Sequence, residues 1–197
     1  AELLRTRYLQ GLHQRRAGDL EAAIATLSAV EAASTRRLGE VALPTQYARN
    51  FLARALNEAG QSPRAQELME ATLAAQRRTQ GEDHRATLLS MVTLGEILLG
   101  ECGDETDALR LDSARSCFER AIAGRRRVLG ETHPGTLTAK QQLARTLYQQ
   151  GARAEGIALL ETVVRDFEQL HDPSQPEAID ARRALLELYR REGRAGE

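Results

Sequence analysis

The sequence contains no tryptophan, two cysteines and few aromatic residues. Phe, Trp and Tyr make up 4% of its 197 residues, and runs of Val, Ile or Thr are rare, so the composition does not favour a β-sheet protein. Cys102 and Cys117 match no metal-binding spacing, and two thiols in a helical intracellular chain are usually reduced. We therefore expect neither a disulfide nor a metal site. The abundant Ala, Leu, Glu, Arg and Gln favour helices.

The chain also lacks an excess of charge and any long apolar run. Its 27 Lys plus Arg and 28 Asp plus Glu give a formal net charge of -1, which disfavours a nucleic-acid partner. No apolar stretch reaches the roughly 18 residues that cross a bilayer. The first residues, AELLRTRYLQ, lack the apolar segment of a secretory signal. These absences indicate a soluble, cytoplasmic protein with no membrane partner.

Two further features concern the origin of the chain. Lys140 is its only lysine, and such an arginine bias is typical of GC-rich bacterial genomes. The chain begins at Ala1 without an initiator methionine, from which we expect a processed product or a piece of a longer protein.

Glycines reveal an internal repeat. One series has spacings of 42, 91 and 42 residues, and a second has spacings of 42 and 49, so both fit a period of 42 with one insertion of seven. The insertion lies between Gly95 and Ala114, near 100-113. The two series are Gly18, Gly60, Gly151 and Gly193, and Gly39, Gly81 and Gly130. The predicted units are about 2-43, 44-85, 86-134 with the insertion, 135-176 and a terminal helix 177-192.

Each unit is predicted to contain two helices, as the second unit illustrates. The segment PTQYARNFLARALNEAG has apolar residues at helical spacing and ends at Gly60, a residue type that commonly follows a helix. We expect Ser62 to cap the next helix, with Pro63 at its first position. That helix ends at Gly81. Across the chain this pattern predicts an all-α protein of nine helices, in which five first helices (A helices) alternate with four second helices (B helices).

Small and large residues recur at fixed positions of each unit. The A helices carry Gly11, Ala53, Gly95 and Ala144, and the B helices carry Ala23/Leu27, Ala65/Met69, Ala114/Phe118 and Gly156/Leu160. In these positions the chain resembles tetratricopeptide repeats (TPRs). The 42-residue period and the junctions RRLGEVALPT, RTQGEDHRAT and RRVLGETHPGT are similar to the longer repeats of kinesin light chains and of bacterial signalling proteins that carry such arrays.

The resemblance implies a right-handed α-solenoid of about four and a half helix-turn-helix repeats, forming a single domain over 1-197. The sequence departs from the family pattern at Arg85, which replaces a junction proline, and at the irregular junction HDPSQPEA. In the first unit, Gln10 and Gln14 stand where leucine is expected. We therefore expect the first A helix to pack differently from the others or to have lost a preceding neighbour.

The seven-residue insertion corresponds to about two helical turns. The third B helix can therefore start two turns early, near Thr106, without rotating its buried face. The apolar positions of that face are Ala108, Leu111, Ala114, Phe118 and Ala121. Both a protruding helix end that contacts a partner and a neutral insertion fit this pattern.

Residues that suggest a chemical site have structural explanations. His84 and His133 lie 49 residues apart at the same junction of successive units, so we interpret them as one structural feature that occurs twice rather than as a pair of metal ligands. The resemblance to TPRs implies that this histidine packs against or caps the turn. Arginine runs such as Arg77/Arg78 sit in the last turns of a B helix, where cations offset the negative end of the helix dipole. No Gly-rich phosphate loop and no G-x-S-x-G motif is present. The sequence predicts no catalytic residue, no metal and no cofactor.

The remaining candidate site is the inner surface that the A helices line in such arrays. Counting the small residue of each A helix as position 8, positions 5, 9 and 12 face inward, and in unit three they hold Val92, Glu96 and Leu99. Amides at position 5 suit a peptide backbone because they offer both a donor and an acceptor. The predicted peptide-binding residues are Tyr47, Asn50, Arg54, Asn57, Gln141, Arg145, Tyr148, Arg183 and Arg190.

These residues predict a protein-protein interaction module that binds a peptide segment of a partner in its concave groove. Four of them are arginines, opposed at the inner positions by only Glu96 and Glu187, so an acidic segment is expected. The alternative is a regulatory or oligomerisation domain of a larger bacterial signalling protein, such as a kinase or transcription regulator, that packs against its own chain or a second copy. An RNA-binding repeat is disfavoured because the inner positions show no recurring base-reading pair.

Overall fold

A computed structural model describes residues 2–100, 107–170 and 175–193. These residues form nine α-helices and no strand. The helices are α1 (Glu2–Arg16), α2 (Leu20–Leu38), α3 (Leu43–Glu58), α4 (Ser62–Gln80), α5 (Arg85–Leu99), α6 (Asp107–Leu129), α7 (Pro134–Gln149), α8 (Arg153–Leu170) and α9 (Pro176–Arg191). Odd numbers denote the A helices and even numbers the B helices, so the predicted alternation is confirmed.

The helices belong to two compact units, Ala1–Glu101 and Cys102–Glu197. In the first unit α2 packs on α1 and α3, α4 packs on α3 and α5, and α3 touches both α1 and α5. In the second unit α7 packs on α6 and α8, and α9 packs on α8 and touches α7. Within the described part of each unit, a helix therefore contacts only helices one or two places away in the chain, as in a repeat array.

A glycine with a left-handed backbone follows most of the helices. Only glycine adopts this conformation without steric cost, which is why it stops a helix so often. The glycines with positive φ are Gly18, Gly39, Gly60, Gly81, Gly130, Gly151 and Gly193, at +73° to +98°. The helix ends predicted from the glycine series are thus confirmed.

Small residues on the B helices allow the two helices of a unit to approach closely. At Gly156 of α8, a Cβ atom would lie 2.6 Å from the backbone oxygen of Ala144 and 3.0 Å from the backbone nitrogen of Tyr148, both on α7. A larger residue there would force the two helices apart. The other small residues of the B helices and all of their large partners are fully buried: Ala23, Ala65 and Ala114, with Leu27, Met69, Phe118 and Leu160.

Histidines cap two of the A helices. Nδ1 of His84 accepts a hydrogen bond from the backbone N–H of Ala86 at 3.2 Å, and Nδ1 of His133 accepts one from Gly135 at 3.0 Å. Each bond satisfies a backbone donor that the first turn of a helix leaves unpaired. Of the two expected roles, packing or capping, the structure shows capping.

A threonine closes each described junction between a B helix and the next A helix. Its hydroxyl donates to the carbonyl oxygen of the junction glycine six residues earlier. The pairs are Thr45 to Gly39 at 2.9 Å, Thr87 to Gly81 at 2.8 Å and Thr136 to Gly130 at 2.9 Å. All three threonines are fully buried. The sequence analysis missed this bond, although the constant Gly-Thr spacing is visible in the three junction segments.

Helix α6 is longer than the other B helices. It has 23 residues, whereas α2, α4 and α8 have 18 or 19. Leu111, Ala114, Phe118 and Ala121 are buried on one face, as predicted. Ala108, which was predicted to continue that face, is exposed, so that part of the prediction was wrong. The predicted extension of the third B helix is confirmed from Asp107 onward. Residues 101–106 of the insertion, with Thr106 and Cys102, lie outside the described residues, as do the first four residues of the junction HDPSQPEA.

Ser62 does not cap α4. It is the first residue of the helix, and its hydroxyl donates to Oδ1 of Asn57 at 2.7 Å. The capping position is occupied by Gln61, which makes no side-chain cap bond. The prediction was wrong because Asn57, in the last turn of α3, provides an acceptor that only the folded helix pair brings close to Ser62.

Candidate functional site

The A helices of the first unit present an aromatic and charged surface. Tyr8 of α1 and Phe51 of α3 pack edge to face, with 5.6 Å between ring centroids and 74° between ring planes. The guanidinium carbons of Arg15 and Arg54 lie 6.0 and 5.9 Å from the centroid of the Phe51 ring. The ring of Phe51 therefore contacts two cations.

Both arginines also pair with a carboxylate on the next A helix. Arg15 of α1 pairs with Glu58 of α3, and Nη2 of Arg54 lies 2.8 Å from Oε2 of Glu96 on α5. The Arg54 and Glu96 side chains are 30% and 21% exposed, so water screens this pair less than a fully exposed one. The charge of Arg54 is consequently balanced within the first unit.

Tyr8 is held neutral by its surroundings. Burial, followed by the neighbouring Tyr47, raises the pKa of Tyr8 to about 12. A tyrosine with such a pKa stays protonated throughout the physiological range. The Tyr8 hydroxyl is thus a neutral hydrogen-bonding group.

The amides predicted to bind a peptide in the first unit instead connect helices. Asn50 is 1% exposed, and its Nδ2 donates to the carbonyl of Gln46 at 2.9 Å and to Oγ of Ser90 on α5 at 3.1 Å. Its Oδ1 has no hydrogen-bond partner among the described residues. The side-chain Oδ1 of Asn57 accepts a hydrogen bond from the hydroxyl of Ser62. In this conformation Asn50 joins α3 to α5 and Asn57 joins α3 to α4.

Two of the predicted residues of the second unit are also buried. Gln141 is 7% exposed and Tyr148 is 9% exposed. The hydroxyl of Tyr148 donates to Glu192 at 2.7 Å, and this hydrogen bond raises the pKa of Tyr148. Arg153 lies 5.8 Å from the centroid of the Tyr148 ring and 3.4 Å from the same carboxylate. This cluster connects the end of α9 to α7 and to the start of α8.

The predicted arginines of the second unit lie at its surface. Arg145 on α7 and Arg190 on α9 are exposed, and no carboxylate of the described residues lies within 4.0 Å of either. The side chain of Arg183 on α9 is 77% exposed and lies 4.0 Å from Asp180. Arg145 and Arg190 therefore give the A helices of the second unit positive charge that no carboxylate of the described residues balances.

Comparison with protein families identifies the architecture. Two models described as tetratricopeptide repeat match residues 45–86, 136–177 and 105–155, which together cover more than half of the chain. The chain belongs to the tetratricopeptide-repeat family. No curated protein matches it.

Solved TPR structures share the fold. The nearly identical TPR-like repeats of a kinesin light chain homologue from Podosopora anserina are 24% identical, cover 96% of this chain and 87% of their own, and have a TM-score of 0.71. A variant of the same repeats is 24% identical, covers 96% of this chain and 86% of its own, and has a TM-score of 0.74. BtubC (BKLC) from P. vanneervenii is 14% identical, covers 98% of this chain and 74% of its own, and has a TM-score of 0.75.

These likenesses confirm the predicted fold class, an all-α solenoid, with repeats of the kinesin-light-chain-like type. TPRs mediate protein-protein interactions, and as scaffolds they are generally non-catalytic. The TPR protein described here is therefore a protein-protein interaction module. Among its described residues, no three His, Cys, Asp or Glu side chains are grouped to hold a metal ion. None of the described helices has the length and apolar character needed to cross a membrane.

The predicted site residues of this TPR protein fall into two groups. The arginines at position 9, Arg54 and Arg145, lie at the surface or near it. The amides at position 5, Asn50 and Gln141, are buried. Their role in peptide binding stays a prediction. The first unit contains Tyr47, Asn50, Arg54 and Asn57, and the second contains Gln141, Arg145, Tyr148, Arg183 and Arg190.

The half-buried Phe51 is the residue of this aromatic and charged cluster that the sequence analysis missed. The count of inner positions considered only 5, 9 and 12, and Phe51 occupies position 6. Tyr47, Phe51 and Arg54 are spaced at i, i+4 and i+7, which places them on one helix face. That stripe is the sequence signal that could have identified Phe51.

Proposed function

We propose that this TPR protein binds an acidic peptide segment of a partner protein through the A helices of its second unit. The observation that carries the proposal is the exposed, unbalanced charge of Arg145 and Arg190, to which Arg183 adds. Arg183 and Arg190 are seven residues apart on α9, so they lie on nearly the same helix face. Helix α7, which carries Arg145, touches α9.

Arginine suits this task because its planar guanidinium group binds a carboxylate through two parallel hydrogen bonds. Unbalanced positive charge also attracts an acidic segment over a distance and speeds its association, with a benefit that falls as salt rises. In the first unit, Arg54 would have to exchange Glu96 for the ligand. We therefore assign the charged contact to the second unit.

A specific observation favours self-association as a second candidate function. Leu186 of α9 occupies the repeat position held by small residues in the other A helices, and it is 48% exposed. Ile179, seven residues earlier, is 36% exposed. A face with two large apolar side chains fits an oligomerisation domain of a longer bacterial, cytoplasmic signalling protein, a setting that the arginine bias supports.

The proposal can be tested with a peptide display library selected on the wild-type protein. We expect the selected peptides to be enriched in Asp and Glu. The double variant Arg145→Glu/Arg190→Glu should bind them at least about tenfold more weakly, because two charge-assisted contacts become repulsive. Binding measured by fluorescence anisotropy should also weaken as the salt concentration rises.

A matched control separates the site from net charge. Arg36→Glu/Arg165→Glu makes the same charge change at two exposed arginines on B helices, and it should bind the selected peptides like wild type. Basic or apolar selected peptides, or equal losses in both double variants, would contradict the proposal. Sedimentation that shows a dimer disrupted by Leu186→Glu, without peptide binding, would favour self-association instead.

A further inference from the structure

A cavity of about 550 Å³, open to solvent on one side, lies between α1, α2 and α3 in the first unit. Its volume falls within the range of small-molecule sites. The walls are largely apolar, with Leu4 from α1, Val30 and Leu38 from α2, and Leu43 and Pro44 from α3. Tyr8 and Tyr47 also line it. The cavity is separate from the arginines to which we assign peptide binding, which belong to the second unit.

The repeat explains why the cavity is there. Ser34 lines it, and the residues one, two and three periods later on the B helices are Gln76, Arg125 and Phe167, at spacings of 42, 49 and 42. All four are buried. Arg125 donates a hydrogen bond to the carbonyl of Gly135 at the start of the next A helix. The second, third and fourth repeats thus place a large side chain where the first repeat has a serine.

The second unit shows the same site in a filled state. Leu137, Val163 and Phe167 belong to one buried cluster, and Phe167 is 0% exposed. Their counterparts three periods earlier are Leu4, Val30 and Ser34. The two sites share their leucine and valine walls and differ at the third residue. An aromatic ring therefore has the size and apolar character that fit this kind of wall.

Ser34 supplies a specific polar group. Its Oγ is buried and has no hydrogen-bond partner among the described residues, and the residue is 0% exposed. An unpaired buried hydroxyl costs free energy that a bound hydrogen-bonding group would recover. The hydroxyl can both donate and accept.

We propose that this cavity binds a small aromatic molecule of one or two rings that carries a hydroxyl or ring N–H. The ring occupies the space that Phe167 fills in the second unit, and its polar group bonds to Ser34. This function is additional to peptide binding. Helix α1 has one buried residue, Gly11. Because the ligand would contact all three helices, it would hold α1 against α2 and α3.

The test uses 2-naphthol, whose fluorescence can be followed because the protein has no tryptophan. We expect wild type to bind it saturably and to melt at a higher temperature in its presence. Ser34→Phe should melt at a higher temperature without ligand and should lose the binding at least about tenfold, because the new ring fills the cavity. Ser34→Gln, which introduces the counterpart from the second repeat, Gln76, is the alternative if Ser34→Phe does not fold.

Two further variants isolate the roles of shape and hydroxyl. Ser34→Ala keeps the space and should reduce the preference for 2-naphthol over 2-methylnaphthalene about threefold to tenfold. Ala32→Phe adds a ring at an exposed position of α2 and should bind like wild type. Absence of binding to wild type, or unchanged binding by folded Ser34→Phe and Ser34→Gln, would overturn the proposal. So would binding of Trp- or Tyr-containing peptides at this site without binding of free 2-naphthol.

Discussion

At the scale of single residues, small side chains determine how closely the paired helices pack. Ala114 of α6 is fully buried, whereas Ala123 on the same helix is exposed. We expect Ala114→Leu to lower the free energy of unfolding by about 1 to 3 kcal/mol, because the added atoms overpack the contact. Ala123→Leu should change it by less than about 0.5 kcal/mol. Urea unfolding followed by circular dichroism measures both, and equal midpoints would show that the assigned repeat register is wrong.

The sequence predicts residues well where a role depends on local geometry. The stop at Gly60 requires a left-handed backbone, and the cap by His133 uses a backbone N–H two residues away. The first follows from the repeat, and the second is one of the two roles that the resemblance to TPRs implies. Asn50 shows the limit, because its burial depends on how the next A helix packs against α3, which brings Ser90 within hydrogen-bond distance. The period assigns a residue to a face but does not determine which neighbour covers that face.

At the scale of helices and junctions, the buried threonines are the recurring polar feature. Thr136→Val keeps the shape of the side chain but leaves the carbonyl of Gly130 without its hydroxyl donor. We expect a loss of about 1 kcal/mol in the free energy of unfolding. Thr138→Val is the control, since Thr138 bonds only to Pro134 within its own helix and is half-buried. A loss at Thr138 as large as at Thr136 would contradict a special role for the junction bond.

The extension of α6 could be predicted because the helical period is preserved across the insertion. The residues from Leu111 to Ala121 keep one apolar face, so the sequence pattern alone indicates a longer helix. The cavity beside Ser34 could not be predicted in the same way. The period shows that Ser34 is smaller than its counterparts, but only the packing of α1, α2 and α3 determines whether neighbouring side chains fill the space.

At the scale of the whole molecule, contacts between near neighbours should make damage local. Phe118 is fully buried in the second unit and Leu27 is fully buried in the first. Phe118→Ala should cost about 3 to 5 kcal/mol. By hydrogen exchange with mass spectrometry, we expect faster exchange in α6 and α7 and little change in α1 and α2. Leu27→Ala should produce the reverse pattern, and uniform acceleration along the chain in both variants would rule out local unfolding.

The ion pairs between successive A helices form only when the repeats follow each other in their natural order. On α3, Glu58 pairs with Arg15 of the preceding A helix, α1, and Arg54 pairs with Glu96 of the following A helix, α5. If the second repeat (about 44-85) were duplicated in tandem, Arg54 of one copy would face Arg54 of the next, since Glu96 occupies that same repeat position in the third repeat. Two opposed guanidinium groups would repel where an attractive pair now forms. The repeats are thus similar in shape but not interchangeable, because their charges attract each other in the natural order and would repel each other in a tandem copy of one repeat.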